Sequence, residues 1–397
     1  MRPLALLSCC LLASCVRFGA THSLTCDCPP SGPQLETLTM NAGLAPGIEA
    51  YATPRIKPFA WELNKYRGAG IICLQEVWTD EARDAVIAAL QLPPENVYYV
   101  DTAGRNEEPG KFFCTADEFQ GLEQCVESRC LGVPAEDTAR CAFSECRWEL
   151  AKLYWNSKRC INCLLATVGG SLDDVKRSCL NDRGVSRVYG GRNGVILASR
   201  WPLRNREYVE LPSSAANRVA LFARIDLAGY EPLEVACTHI SMSADQPPTD
   251  PMFRNWTAEK EAQIQIISDK LAERAGTRPA LFLGDLNTGP GWNSVVKPTF
   301  PDVWSLIVRL GFVSPVTRVW PPICSMCNDN TFRRSSPDHL IDHVLVRDPP
   351  GGTDLTPLCA HPIMTEAEWI WGHDKRLVYT NLSDHYGIVV KFSLRNR

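Results

Sequence analysis

The sequence predicts an α/β protein built in layers around β-sheets and carrying one cysteine-rich insertion. Short apolar or β-branched runs of strand length recur along the chain and are separated by segments with helical periodicity. No internal repeat with a period of roughly 20 to 50 residues is visible, and the mix of strand runs with separated helices points away from a bundle or an all-β sandwich. From Glu107 to Arg183 the strand-like runs nearly vanish and eight cysteines take their place.

In chain order, LETLTMNA (Leu35 to Ala42) alternates Leu35, Thr37 and Thr39 with partly apolar neighbours and reads as a strand. A helix-like segment from Pro58 to Arg67 follows, then the apolar run Ile71 to Leu74. Thr79 offers its hydroxyl as an N-cap for a helix reaching Leu90. NVYYV (Asn96 to Val100) is a short strand before the insertion. After it, SRVYGG, GVILAS, Val219 to Leu227 and Pro232 to His239 read as strands, and Trp256 to Ala275 as a helix with Ile264, Ile266, Ile267 and Leu271 on its apolar side. PALFLGDLN is the next strand. An irregular stretch containing Cys324 and Cys327 separates it from LIDHVLV and from the final strand in HYGIVVKFSL.

Composition narrows the class. With 45% hydrophobic and 22% charged residues the 397-residue chain is globular in character, long enough for one large core or two ordinary ones. Thirteen residues from Leu4 to Val16 form an apolar stretch suited to a signal peptide and too short to span a bilayer. Cleavage is expected between Cys15 and Leu24, with residues 1–23 as the leader and 34–397 as the folded domain. Loss of Arg2 and Arg17 would take the net charge from -4 to -6, which argues against a purely electrostatic partner such as bulk DNA.

Eighteen cysteines suit an oxidising compartment and hence a secreted protein. Eight of them fall within 107–183, an insertion expected to hold up to four disulfides; the alternative is zinc at Cys160-x-x-Cys163, which lacks a second paired motif. Cys73 and Cys237 lie within apolar runs and are expected to be buried thiols. If so, thirteen of the fifteen cysteines outside the leader remain for pairing, which leaves one over.

Several apolar strands end in a polar residue. Asn41 follows LETLTM, Glu76 follows IICLQ, His239 follows EVACT, Asp285 and Asn287 follow ALFLG, and Asp384-His385 precede YGIVV. Rigid strand ends are a common support for a functional site. Each residue alone has a structural reading too: a turn residue before Gly43 for Asn41, a helix-opening carboxylate for Glu76, a hydrogen-bonded core histidine for His239, an Asx turn for Asp285-x-Asn287, and a charged turn for Asp384-His385.

Taken together, TMNAGL, CLQEVW, GRNGVILASR, CTHISM, FLGDLNTGP, LIDHVLV and LSDHYGIVV resemble, in order, the motif set of the endonuclease/exonuclease/phosphatase superfamily. That superfamily includes DNase I and the neutral sphingomyelinases. The resemblance spans about Leu35 to Leu394 and implies a four-layer sandwich of two mixed sheets flanked by helices, with one hydrolytic site at one end. It implies Glu76 as principal Mg²⁺ ligand with Asn41 close by, and Mn²⁺ or another divalent cation as a substitute. His385 would be the general base, oriented by Asp342; His239 would donate to a phosphate oxygen or assist the leaving group. Asp285 and Asn287 would position water and phosphate, and Asp384 would complete the metal shell. Asn193 is a candidate for the phosphate pocket, its alternative being a turn that opens a strand.

Within that resemblance the inositol 5-phosphatases differ at LIDHVLV, and the abasic-site endonucleases lack a histidine at the position of His239. A sphingomyelinase-like phosphodiesterase and a DNase I-like endonuclease remain. The acidic chain and the aromatics of VWPPICSMC and EWIWGH favour a lipid headgroup at a membrane surface over nucleic acid. A non-catalytic secreted binding protein is the alternative of another class. His343 is expected to face away from Asp342, and Arg333-Arg334 and Lys375-Arg376 to be solvated. Asn255 is a candidate glycan site, whereas Asn381 is expected to be unmodified.

Overall fold

The computed structural model describes residues 33–104, 113–180, 187–214, 216–243, 252–292, 294–347 and 353–396. The proposed leader, the ends of the insertion around 107–112 and 181–183, Cys26 and Cys28 lie outside these residues.

The strands are β1 (Gln34–Leu44), β2 (Ile71–Val77), β3 (Val97–Tyr98), β4 (Ile196–Ser199), β5 (Leu203–Leu211), β6 (Arg218–Ile225), β7 (Leu233–His239), β8 (Ala280–Asp285), β9 (Asp342–Arg347), β10 (Thr353–Ile363), β11 (Glu368–Trp371), β12 (Leu377–Thr380) and β13 (Gly387–Asn396). Six form one mixed sheet in the order β10-β13-β1-β2-β4-β3, five form a second in the order β5-β6-β7-β8-β9, and β11 and β12 pair as a separate hairpin. Among the described residues, the parallel pairs in the two large sheets are β1 with β2 and β7 with β8.

Side-chain alternation explains the layering. Ile71 and Cys73 of β2, Leu221 and Ala223 of β6, Cys237 of β7, Leu281 and Leu283 of β8 and Val344 of β9 fill the core between the sheets. The opposite parity serves the outer faces. Ile72 and Leu74 meet Ile56, Phe59 and Leu63 of helix α1 (Ala52–Asn64) and Val86 of α2 (Asp80–Leu90). Phe222, Phe282 and Leu345 meet Ile264, Ile267 and Leu271 of a long helix (Trp256–Ala275) and Ile307 of a shorter one (Pro301–Arg309). Burial on both faces is why these strands read as near-continuous apolar runs. The result is the expected DNase I-like four-layer sandwich.

Five helices lie between β3 and β4: α3 (Ala116–Arg129), α4 (Thr138–Glu145), α5 (Arg147–Asn156), α6 (Lys158–Ala166) and α7 (Leu172–Cys179), so the long helix and the shorter one are α8 and α9. Four disulfides hold the five: Cys114–Cys160, Cys125–Cys146, Cys130–Cys141 and Cys163–Cys179. Cys160 and Cys163 go to different partners, which removes the zinc reading. This module has its own apolar core and docks through Val168 onto Ala45, Trp78 and Val188.

Several local expectations are corrected. Cys73 and Cys237 are not free thiols: both point into the space between the sheets and form a disulfide, with Cα atoms 5.5 Å apart. Cys324 pairs with Cys327, and Cys359 is disulfide-bonded as well. SRVYGG is not a strand; Val188–Gly191 is a single tight turn with Tyr189 and Gly190 at positive φ. The first helix begins at Ala52 and carries Pro58 inside it. The strand β5 and the helix α9 lie in stretches where polar residues or prolines masked the periodicity. Thr79 does cap α2, its hydroxyl accepting from the Ala82 N–H at 3.1 Å.

Candidate active site

The alternation that builds the core also delivers the site. Asn41 continues the inward parity of Leu35, His239 that of Cys237, Asp285 that of Leu283, and Asp342 that of Val344. Register lines them up: His239 lies opposite Asp285, and Asp285 opposite Asp342, on three adjacent strands. The parallel approach of β7 and β8 needs glycine at 284, where a Cβ would stand 2.1 Å from the Thr238 carbonyl oxygen.

Glu76 is the exception. Two residues beyond Leu74, it would face the outer helices if β2 stayed regular. Instead its backbone is left-handed (φ 57°), and its carboxylate reaches Asn41. Asn287 is likewise left-handed (φ 46°). A non-glycine residue in that region costs about 1 kcal/mol or more, and such strain collects at functional sites.

The two sheets contribute half the cluster each, and the contacts cross between them. Asn41 Nδ2 donates to Glu76 Oε1 at 3.2 Å and to Asp285 Oδ2 at 2.9 Å. His239 Nε2 lies 3.4 Å from Asp285 Oδ2 and 3.9 Å from Glu76 Oε1. Asn287 Nδ2 lies 3.2 Å from His239 Nε2 and donates to the Ile240 carbonyl at 3.1 Å. His385 Nδ1 is 2.7 Å from Asp342 Oδ2, while its Nε2 faces Asp384 at 3.7 Å and Asp285 at 4.0 Å. All eight strand-end residues named from the sequence are thus brought together.

Asn193 is close in the chain to this cluster's wall but is otherwise engaged. Its amide donates to the Val100 carbonyl and Thr102 Oγ1, and its oxygen accepts from the Val195 N–H. Saturated in this way and 2% exposed, it shapes the turn before β4. Asn41 has its oxygen turned to the Gly43 N–H at 3.0 Å, so its nitrogen faces the carboxylates. In this arrangement it positions Glu76 and Asp285; direct ligation of a metal requires rotation of the amide.

Sequence reading missed three buried cations, Arg55, Arg218 and Lys260, and expected Arg333, which is partly buried, to be solvated. Arg55, completely buried, donates to the carbonyls of Gly43 and Leu382 at 2.6 Å each and holds the loops of Asn41 and Asp384 together. Arg333 pairs with Asp384, while its neighbour Arg334 is exposed as expected. Arg218 is 3% exposed, and its Nε and Nη1 have no hydrogen-bond partner. Lys260 donates to the Ser241 carbonyl, and burial pushes its ammonium down to about 7. Arg218 opens β6 and the other three lie outside the strands, but none falls in one of the ordered motifs, which is why sequence reading did not expose them.

The charges are strongly coupled. Burial, with Asp342 beside it, raises the Asp285 carboxyl to about 7. Burial and Asp384 raise Glu76. Burial, then Arg218 and His385, hold His239 well below its ordinary value, so it is neutral. For His385 burial acts downward but is outweighed by Asp342 and Asp384, and its pKa is raised well above the ordinary value. Burial would also raise Asp384, but His385 and Arg333 prevail and lower it.

Converging carboxylates that resist ionisation together are a donor set suited to a hard divalent cation. The ligand atoms of Asp285, Asp342 and His385 lie within 4.8 Å of one another, but Asp342 and His385 already bond each other. Glu76 is the more open carboxylate, with 20% of its side chain exposed against 2% for Asp285. His343 faces outward against Trp304, its ring nitrogens engaged by Ser314 and Thr288, as expected for the opposite strand face.

Two mixed sheets packed face to face, with this cluster at one end, define a DNase I-like phosphoesterase architecture. The chain belongs to the endonuclease/exonuclease/phosphatase family, whose sequence profile matches residues 55–385. Its fold is similar to that of SmcL (TM-score 0.52, 13% identity, covering 91% of this chain and 99% of that one). Sphingomyelinase C from Streptomyces griseocarneus is similar too (0.51, 15%, 91% and 99%). So is a mutant beta toxin from Staphylococcus aureus with bound magnesium ions (0.51, 13%, 91% and 100%). At these identities the similarity is one of fold. No curated protein matches the chain in sequence.

Proposed function

We propose that this chain is a divalent-metal-dependent phosphodiesterase that hydrolyses a lipid-borne phosphodiester, sphingomyelin being the reading favoured, outside the cell. The observation that carries hydrolysis is the His385–Asp342 pair: an imidazole with Nδ1 bound to a buried carboxylate and Nε2 facing the site. Asp342 fixes the tautomer, and with a cation held beside Asp384 to offset the carboxylate charge that raises the imidazole, Nε2 is left to accept a proton from water. The water oxygen bonds to phosphorus as the bond to the departing alcohol oxygen breaks. His239 donates to a phosphate oxygen or to that departing oxygen, and Asn287 and Asp285 position phosphate and water. The unpartnered N–H groups of Arg218 complement phosphate charge. Glu76, with Asn41 and Asp384 at its side, would hold Mg²⁺ or Mn²⁺; when bound, the ion supplies charge to neutralise the phosphoryl oxygens.

The lipid choice is supported by the β11–β12 hairpin. Trp369 pairs with Tyr379 and Trp371 with Leu377 across it, and these four side chains are 51–66% exposed. Ile370 anchors the other face in the core beside α1. A contiguous exposed aromatic face marks an interaction surface, and it ends at Thr380, four residues before Asp384. Export is supported by the disulfides, which form and persist in oxidising compartments. We read 34–397 as one catalytic domain interrupted by the 107–183 module. Asn255 is exposed and caps α8 through its oxygen, which leaves its nitrogen open to a glycan; Asn381 is buried and bonded on both sides.

The test is release of phosphocholine from sphingomyelin vesicles compared with nicking of plasmid DNA, each with Mg²⁺ and with EDTA. Metal-dependent phosphocholine release without nicking is expected. Nicking alone would move the assignment to an endonuclease, and no turnover of any phosphoester would leave the binding-protein reading.

A further inference from the structure

We propose that the disulfide-bonded helical module is a receptor for the hydrocarbon chain of the lipid substrate, so that the chain is bound by one module while its headgroup is cleaved by the other. The proposal rests on the lipid reading above and adds a site to it. Inside the module the helices do not close on one another. They leave an apolar cavity of about 70 Å³ that opens to the surface, walled by Leu122, Val126, Leu150, Ile161 and Leu165 among others, with Phe143 half-exposed at its edge. No charged side chain lines it; threonine hydroxyls are the most polar side-chain groups present.

Apolar space larger than a water molecule is uncommon within a folded module, because interiors pack close to crystal density. Here the helices are held apart covalently. Cys130–Cys141 ties the end of α3 to the middle of α4, Cys125–Cys146 ties α3 to the α4–α5 junction, and Cys163–Cys179 ties α6 to α7. An uncharged, flexible hydrocarbon chain matches both the lining and the open mouth.

Continuity with the active site selects the substrate's chain as occupant. Val168 and Ala139 line the cavity and also pack against Trp78 and Tyr189, on the strand-end segment that carries Glu76. Gly47 and Gly169 meet backbone to backbone, where a Cβ on Gly47 would stand 2.3 Å from the Gly169 nitrogen. Three residues before Ala139, Glu136 bonds both Thr53 of α1 and His373 in the turn of the aromatic hairpin. The cavity wall, the metal-site strand and the exposed aromatic face are thus one connected structure.

The experiment uses the full chain and sphingomyelin carrying a diazirine in its N-acyl chain, presented in phosphatidylcholine vesicles and photolysed. Crosslinked peptides are expected within 119–175. In parallel, Leu165→Trp and Val175→Trp fill the cavity from half-buried positions. They should raise KM for vesicle sphingomyelin about tenfold with little change in kcat, and leave hydrolysis of water-soluble bis(p-nitrophenyl) phosphate within about twofold. Preserved soluble-ester turnover shows that the variants fold. Crosslinks confined to other segments, or unchanged kinetics on vesicles in both variants, overturn the cavity assignment. Failure of the wild type to cleave sphingomyelin while cleaving the soluble ester overturns the lipid reading instead.

Discussion

Removing the Cys73–Cys237 disulfide is expected to damage both stability and catalysis. The bond crosses the sandwich from β2 to β7, three residues before Glu76 and two before His239, so it ties the strand of one site residue to the strand of another. The two cysteines are 164 residues apart. Disulfides inside the insertion already short-circuit spans of 46 and 16 residues of that loop. An effective loop of roughly 100 residues remains, for which chain entropy gives about 4 to 5 kcal/mol of stabilisation. Loss of two completely buried sulfurs adds to this in a Cys73→Ala/Cys237→Ala protein. Urea unfolding with the other disulfides intact should show the loss as a lower midpoint. Catalysis should fall even under conditions where the variant is fully folded, because the 3.9 Å approach of His239 to Glu76 is no longer held from beneath. Two reactive thiols at these positions in denatured, unreduced wild type, or a variant with unchanged midpoint and turnover, would refute the reasoning.

Three further outcomes follow from the site. His385→Ala should lower kcat by about 10²- to 10⁴-fold, and Asp342→Asn by a comparable factor through loss of the tautomer, as read by steady-state kinetics. Glu76→Gln should mainly shift the Mg²⁺ concentration needed for half-maximal rate; an unaltered metal titration would place the ion elsewhere. His343, held at about 4 by burial against an ordinary value of 6.5, is neutral in the fold. Between those values the unfolded chain binds the extra proton, so its contribution is complete above pH 6.5 and lost as pH falls to 4. The span amounts to about 3 kcal/mol, and a His343→Gln protein should show a correspondingly flatter acid limb in urea unfolding.

How much could be read beforehand depended on whether a feature is local. Thr79 caps α2 through its own hydroxyl, and Trp256–Ala275 is helical with the bounds its periodicity implied. The motif residues at strand ends were legible because a period of two carries Asn41, His239, Asp285 and Asp342 inward with the core residues before them. Glu76 reaches the site for a reason no periodicity contains, a left-handed residue at the end of β2. The cysteines show the same limit. An apolar run surrounds Cys73 and another surrounds Cys237, and each alone suggests a small buried thiol. Only the packing of the sheets reveals that they face each other at bonding distance.

The layered α/β class, the presence of a cysteine-rich insertion and the identity of the strand-end residues were legible in the sequence, because they follow from alternation, cysteine spacing and ordered local motifs; that the insertion is helical came from the structure. Tertiary structure alone decided the charge state and partners of those residues. Arg55, Arg218, Arg333 and Lys260 come to the site from four separate parts of the chain. The cavity in the insertion also exists only once four disulfides set the spacing of its helices. Burial and proximity between residues far apart in sequence are properties of the packed sheets and helices, and they set both the protonation of the site and the apolar space beside it.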